Sequence, residues 1–337
     1  MATSKVDEAV RRPWQLQMIR FAPYVAGALL LVVVPSLVPS YVQTVWTRFL
    51  VFAIFALSYD LVYGHAGLLS LGHAAYFGAG GYAVAAAMFH FGLNSFWITW
   101  PLGMLVAAVV SAVFGFMSLR VSGMYFLLVT FAFGELLYSI TWNLPWLSTP
   151  GMQGIAGLPR PDLGIPGFTW DTLNFYYFVL TIFAVCFVLL YRIMSSPFGH
   201  ALRGIREGEK RMSSLGYNTW LYKYLAFIIT GVFAGVAGVL FVYYNRFISP
   251  THVGVATSFL PMVMVIIGGS GTLLGPVIGA MVIVFVEYFA SLYTPERWPL
   301  ILGVVFVATI MYARGGVSVY LSTLWKRLSA LYGSPES

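Results

Sequence analysis

Ten apolar runs, separated by polar or Pro/Gly-bearing breaks, leave this chain one broad way to fold. They lie near residues 22–40, 44–63, 67–89, 97–118, 123–143, 174–194, 223–244, 256–270, 273–291 and 298–313. A bilayer core takes about 20 apolar residues per helix. Backbone polar groups there must find partners within the chain, which a helix provides. Charge points the same way: only 9% of the 337 residues are charged and 60% are hydrophobic, against roughly 25% charged in soluble domains. So few charges cannot clothe a soluble globule. The pattern excludes a soluble enzyme, a nucleic-acid-binding domain and a disordered chain. The expected fold is an all-α polytopic membrane protein, a bundle of about ten transmembrane helices.

The net charge of +7 then reads as orientation rather than as affinity for nucleic acid. Lys and Arg favour cytoplasmic loops. With the N-terminus inside, only Arg48, Arg160, Arg246 and Arg297 of the 18 Lys and Arg fall outside, leaving 14 inside. Both termini are therefore expected in the cytoplasm. The expected division is a cytoplasmic tail over 1–21, a transmembrane domain over 22–316 and a second cytoplasmic tail over 317–337. The first 20 residues are polar and do not read as a cleavable signal peptide. Within the membrane domain, 144–173 is a Gly/Pro-rich outer loop and 195–222 a charged cytoplasmic loop. Cys186, the single cysteine, lies in an apolar run and reads as a buried thiol.

Small residues crowd two regions. The stretch from Gly64 to Tyr82 is rich in Gly and Ala, which suits close helix packing or a broken, re-entrant segment lining a cavity. The run from Gly268 to Pro276 lacks the Lys-Ser/Thr of a phosphate loop. A tight turn followed by a Gly271, Gly275, Gly279 packing face explains it better. Gly231 and Gly235 form a similar face.

Three carboxylates lie at membrane depth: Asp60, Glu135 and Glu287. Each costs about 2.5–3.5 kcal/mol to insert, so each reads as a polar pathway element or as a bundle-interior partner. Ser70, His73 and Tyr76 join Asp60 and Glu135 as candidates for a translocation path. They are expected near Glu135, facing a neighbouring subunit rather than lipid. His65 and His73 are eight apart and do not share a helix face, so no metal site is expected. No spacing suggests a catalytic nucleophile and base. In the cytoplasmic loop, a turn at Ser196–Gly199 precedes an expected helix over 201–215. It carries Arg203, Arg206, Glu207, Glu209, Lys210 and Arg211 and is closed by Gly216.

Five segments in this order then carry a resemblance: GHAGLLSLGHAAYFGAGGYA, MYFLLVTFAFGELL, SPFGHALRGIREGEKRMSSLGYN, YKYLAFIITGVFAGVAGVL and MVMVIIGGSGTLLGPVIGA. Together they resemble the LivM-type permease of branched-chain amino acid ABC importers, over about residues 45–315. The resemblance implies the permease architecture and no ATPase of the chain's own, ATP being bound by partner subunits. It implies four kinds of partner: a second permease, homologous or identical; two cytoplasmic ATP-binding subunits; a periplasmic binding protein; and the surrounding lipid of a bacterial inner membrane. It makes Arg203–Gly216 the ATPase-docking helix, with Arg203, Arg206, Glu207, Glu209, Arg211 and Gly216 as its candidate residues. Arg211 and Met212 stand where relatives have alanines, and Asp60 where they commonly have Asn. Similar permeases handle urea, short amides and other amino acids, so the substrate stays open. An ion-coupled transporter using Asp60, Glu135 or Glu287 is the alternative, and an integral membrane enzyme has no supporting motif.

Overall fold

The computed structural model describes residues 27, 29–148, 153–164, 170–293, 298–312 and 316–318. The tail over 1–21, most of the tail over 317–337, Arg297 and residues 149–152 lie outside the described residues. Among the described residues eleven α-helices follow one another: α1 (29–37), α2 (Ser40–Asp60), α3 (His73–Phe91), α4 (Phe96–Ser118), α5 (Met124–Asn143), α6 (Thr172–Ser195), α7 (Pro197–Ser214), α8 (Thr219–Asn245), α9 (Val255–Gly268), α10 (Leu274–Tyr293) and α11 (Trp298–Tyr312). Each apolar run finds a helix, and α7 occupies the charged loop. Among the described residues, seven helical segments are both long and apolar enough to cross a membrane. α1, α3 and α11 are not among them, the described parts of α1 and α11 being shorter than a span. α3 falls short because alanine and glycine, not leucine, fill it.

Burial sorts the helices into a centre and a rim. The most apolar stretch of α2 is 94% buried and that of α8 78%, against 28% in α4 and 22% in α5. α2 is apolar on all sides because neighbours cover every side. α8 packs on α4, α3 and α2, and α10 packs on α9 and α2. Glycine sets how close these helices come. A Cβ on Gly80 would sit 2.8 Å from the Gly235 backbone, and Gly238 lies against the Phe77 carbonyl. Gly231 and Gly235 meet Ser111 and Ala107 of α4, as their spacing suggests. The Gly271–Gly275–Gly279 face is corrected. Gly275 and Gly279 pack within α10 against the α9 backbone, but Gly271 precedes that helix, in a turn with φ +75°. Cys186 is buried, as expected.

At one end, the outer loop is clasped to α8. β1 (Ile155–Ala156) pairs antiparallel with β2 (Phe247–Ile248), Ile155 opposite Ile248. Arg246 Nε donates to the Leu158 carbonyl (2.7 Å), and Leu158 N–H returns a bond to Arg246. Arg160 lies in the same loop, donating to the Trp170 carbonyl and covering the Phe175 ring. The opposite end holds α7.

Candidate functional site

Two features of the chain concentrate its polar chemistry: the break between α2 and α3, and the docking of α7 beneath it. α2 ends at Asp60 in a π-helical turn, Leu61–His65, a local irregularity often found at functional sites. The backbone then runs without regular structure from 67 to 72 before α3 begins. Its depth follows from its neighbours. Gly72 lies against Thr130 and Gly134, the latter midway along α5, where a Cβ would sit 3.3 Å from Gly72 Cα. The Gly64–Tyr82 stretch is therefore a broken segment whose gap climbs to half the height of α5.

Non-helical backbone at that depth needs partners, and other helices supply them. Leu71 N–H bonds Thr130 Oγ1 (3.2 Å) and Tyr59 Oη donates to the Ser70 carbonyl (3.2 Å). Ala74 N–H bonds Ser258 Oγ of α9 (2.9 Å), capping α3 across the fold. Thr130, Ser258 and Ser58 were not legible as functional residues, because hydroxyls inside apolar runs carry no spacing signal of their own.

The expectation that Ser70, His73 and Tyr76 face a second subunit is corrected: each is only 1% exposed. His73 Nε2 meets Ser58 Oγ at 2.9 Å, inside a nest of Phe55, Tyr59 and Tyr76. Ser70 Oγ is buried without a hydrogen-bond partner. What the broken segment shows to the outside is Gly67, which is exposed, and Leu68, Leu69 and Leu71, which are partly exposed. Glu135, next to Gly134 on the sparsely covered α5, is also partly exposed, and no hydrogen bond or ion pair holds it among the described residues. Glu287 is different. It pairs with Arg48 of α2 at 2.8 Å, which already neutralises it. Glu287→Gln is expected to lower stability by roughly 1 kcal/mol, since the pair is partly exposed, as read by thermal unfolding in detergent. An unfolding temperature equal to wild type would show that the pair adds nothing to stability.

Asp60 has no solvent exposure at all. Its Oδ1 accepts from the Gly271 N–H of the α9–α10 turn (2.8 Å), and its Oδ2 lies 3.5 Å from His65 Nδ1. Below it sits α7, entered through a Ser196 N-cap and Pro197 at its first position. The expected turn at 196–199 is therefore the start of the helix itself. Ala201, Leu202 and Ile205 bury its apolar side. Gly208 departs from helical geometry and divides α7 in two. Arg203 and Arg206 are exposed, yet each brings a guanidinium nitrogen back onto the fold, to His65 and to the Gly64 carbonyl. Glu209 holds Lys223 at the start of α8, 2.5 Å away. Among the described residues, Glu207, Lys210 and Arg211 are exposed with no tie to the other helices, and Glu209 is about half exposed at 48%. The helix ends in a Schellman motif: Gly216 N–H bonds Ser213 and Tyr217 N–H bonds Met212, with Gly216 at φ +89°. Leu215 and Tyr217 project from this end, both exposed.

Among the described residues, no group of three or more His, Cys, Asp or Glu side chains could hold a metal. The arrangement offers a polar-tipped helix fastened beneath a broken membrane segment.

Comparison with known proteins agrees. Residues 41–312 match the family model described as branched-chain amino acid transport system / permease component. The chain is 31% identical over 260 residues to the high-affinity branched-chain amino acid transport system permease protein LivM of Salmonella typhimurium, covering 71% of this chain and 61% of that protein. It is 30% identical over 282 residues to LivM of Escherichia coli, covering 77% and 66%. To the LivH permease of Salmonella typhimurium it is 24% identical over 264 residues, covering 73% and 84%. The chain thus spans less than two thirds of the length of these LivM relatives. No solved structure matches. The matched stretch takes in the broken segment, the buried Asp60 and the whole of α7, and the chain belongs to the branched-chain amino acid transport permease family.

Proposed function

We propose that this chain is the permease subunit of an ATP-driven importer, forming half of the path for branched-chain amino acids delivered by a periplasmic binding protein. The observation that carries the reading is α7: a capped helix outside the apolar runs, tied to α2 and α8, with a polar outer side and two exposed apolar residues at its tip. Such a helix suits a groove in a cytoplasmic ATP-binding subunit. Mixed charges at its outer side fix orientation better than they fix lipid. Two ATP-binding subunits supply the energy, and the permease itself binds no ATP. In this reading both termini are cytoplasmic, the membrane is the bacterial inner membrane, and ten helices cross it.

The second permease fits against the thinly covered α5, where Glu135 and the leucines of the broken segment would meet it. The likeness to both LivM and LivH favours a homologous partner over a second copy. A path shared by two halves can open alternately by rocking at their contact. Ser70, His73 and Tyr76 then shape the path from behind, and Glu135 borders it.

Reconstitution in proteoliposomes tests this. With ATP-binding subunits and binding protein present, labelled leucine uptake should require ATP; uptake by the chain alone under a proton or sodium gradient would instead select the ion-coupled alternative. Within the complex, Glu209→Lys should lower uptake severalfold by setting two ammonium groups against each other, a modest effect because Glu209 is 48% exposed. The exchange Glu209→Lys with Lys223→Glu should restore much of it, as a pair and not a point contact demands.

A further inference from the structure

We propose that Arg203 and Arg206 are positioning residues that face their own membrane domain, fastening the docking helix to a buried relay of Gly64, His65, Asp60 and Gly271. The inference deepens the ATP-driven reading and rests on it. Its origin is geometric. Arg206 donates to the Gly64 carbonyl in the π-helical turn. Arg203 bonds the Met194 carbonyl (3.2 Å) and approaches His65 Nε2 (3.4 Å). A guanidinium has no acceptor, so His65 Nε2 must accept and the ring proton sits on Nδ1. That proton faces the Asp60 carbonyl (3.3 Å) and the Asp60 carboxylate (3.5 Å). On its other oxygen, Asp60 receives the Gly271 N–H (2.8 Å).

Three segments that are remote in sequence thus converge on one buried carboxylate: the end of α2, the docking helix and the α9–α10 turn. The corridor is made of glycines. A Cβ on Gly67, which has φ +72°, would sit 2.9 Å from Arg206 Cγ, and one on Gly271 3.2 Å from Arg206 Nη1. Side chains at either position would push the arginine away from the turn. A displacement of α7 is therefore felt at once by α2, α9 and α10, the helices around the broken segment. A guanidinium bonded to its own chain in this way is a transmission contact even though the arginine is exposed, and Glu207, Lys210 and Arg211 are left for the ATP-binding subunit.

The test uses the full transporter in proteoliposomes, with Arg206→Gln, Asp60→Leu and Asp60→Asn. Three quantities are read: ATP-binding subunits co-purifying with the permease, ATP hydrolysed, and leucine taken up, each per inserted permease. Arg206→Gln should retain the ATP-binding subunits and continue to hydrolyse ATP, while uptake per ATP falls by roughly 5- to 150-fold, the usual range of coupling between sites. Asp60→Leu should do the same. Asp60→Asn, which keeps an acceptor for Gly271, should stay close to wild type. Loss of the ATP-binding subunits from Arg206→Gln would overturn the proposal, since that marks a direct ATPase contact. Wild-type uptake in Arg206→Gln, or equal loss in Asp60→Asn and Asp60→Leu, would overturn it too. Should Arg206→Gln fail to insert, Arg203→Gln is read against the same outcomes. A wild-type complex whose uptake needs no ATP defeats the importer reading itself, a result distinct from all of these.

Discussion

Gly216→Val is expected to cut uptake by about tenfold or more while the permease still reaches the membrane. Gly216 closes α7 at φ +89°, a region where a residue with a Cβ costs about 1–2 kcal/mol and a β-branched one more. Strained backbone persists only where its surroundings enforce it. Here nothing does: a Cβ at this position meets no atom within 4 Å. The valine chain therefore relaxes by unwinding the Schellman turn, releasing the bonds to Ser213 and Met212 and re-aiming Leu215 and Tyr217. The tenfold figure is what about 1.4 kcal/mol amounts to. Asn, which tolerates the left-handed region, should retain most activity, and Ala should fall between. The check is leucine uptake against membrane-inserted protein across the four side chains. Equal uptake by Gly and Val would remove α7's end from the coupling surface.

Gly238→Leu should have the opposite character: no folded permease to assay. Gly238 lies where α8 crosses α3, and its Cβ would overlap the Phe77 carbonyl. That atom is backbone, held in the α3 hydrogen-bond ladder, so no rotamer change relieves the clash. Two central helices would have to part, undoing the adjoining Gly80–Gly235 contact. The cost belongs with the exceptional substitutions above about 4 kcal/mol. Membrane yield and thermal unfolding in detergent are the measurements, with Gly303→Ala as control, since a Cβ there meets nothing. A Gly238→Leu protein that accumulates and melts like wild type would disprove the packing described for α3 and α8.

How much of this could be read from the residues varies with the physics involved. Helix positions were legible because hydrocarbon imposes length and polarity on every span. The end of α7 was legible because glycine after a charged run marks a left-handed cap. The gap between α2 and α3 was not: glycine and alanine permit both a close-packed helix and a broken one, and the choice is made by Thr130, Tyr59 and Ser258, up to 184 positions distant from their partners. The direction of Arg203 and Arg206 was likewise hidden. Arg206 follows Ile205 on the edge of the buried face, and a long side chain at such an edge can turn either way. Only the Gly64 carbonyl and His65, brought beneath the membrane by the π-helical turn, decide it. Glu287 read as a possible pathway group until folding brought Arg48, 239 residues away, alongside it.

The two-stranded clasp has one more consequence. It grips α8 at its last residues, and Glu209 grips the same helix near its first turn. A helix of 27 residues is about 40 Å long, buried for most of that length and therefore stiff. The Gly/Pro-rich loop and α7 are thus mounted on opposite tips of one rod. A stiff rod joined at both ends ties the position of the loop to that of α7 without a chain of small side-chain shifts between them.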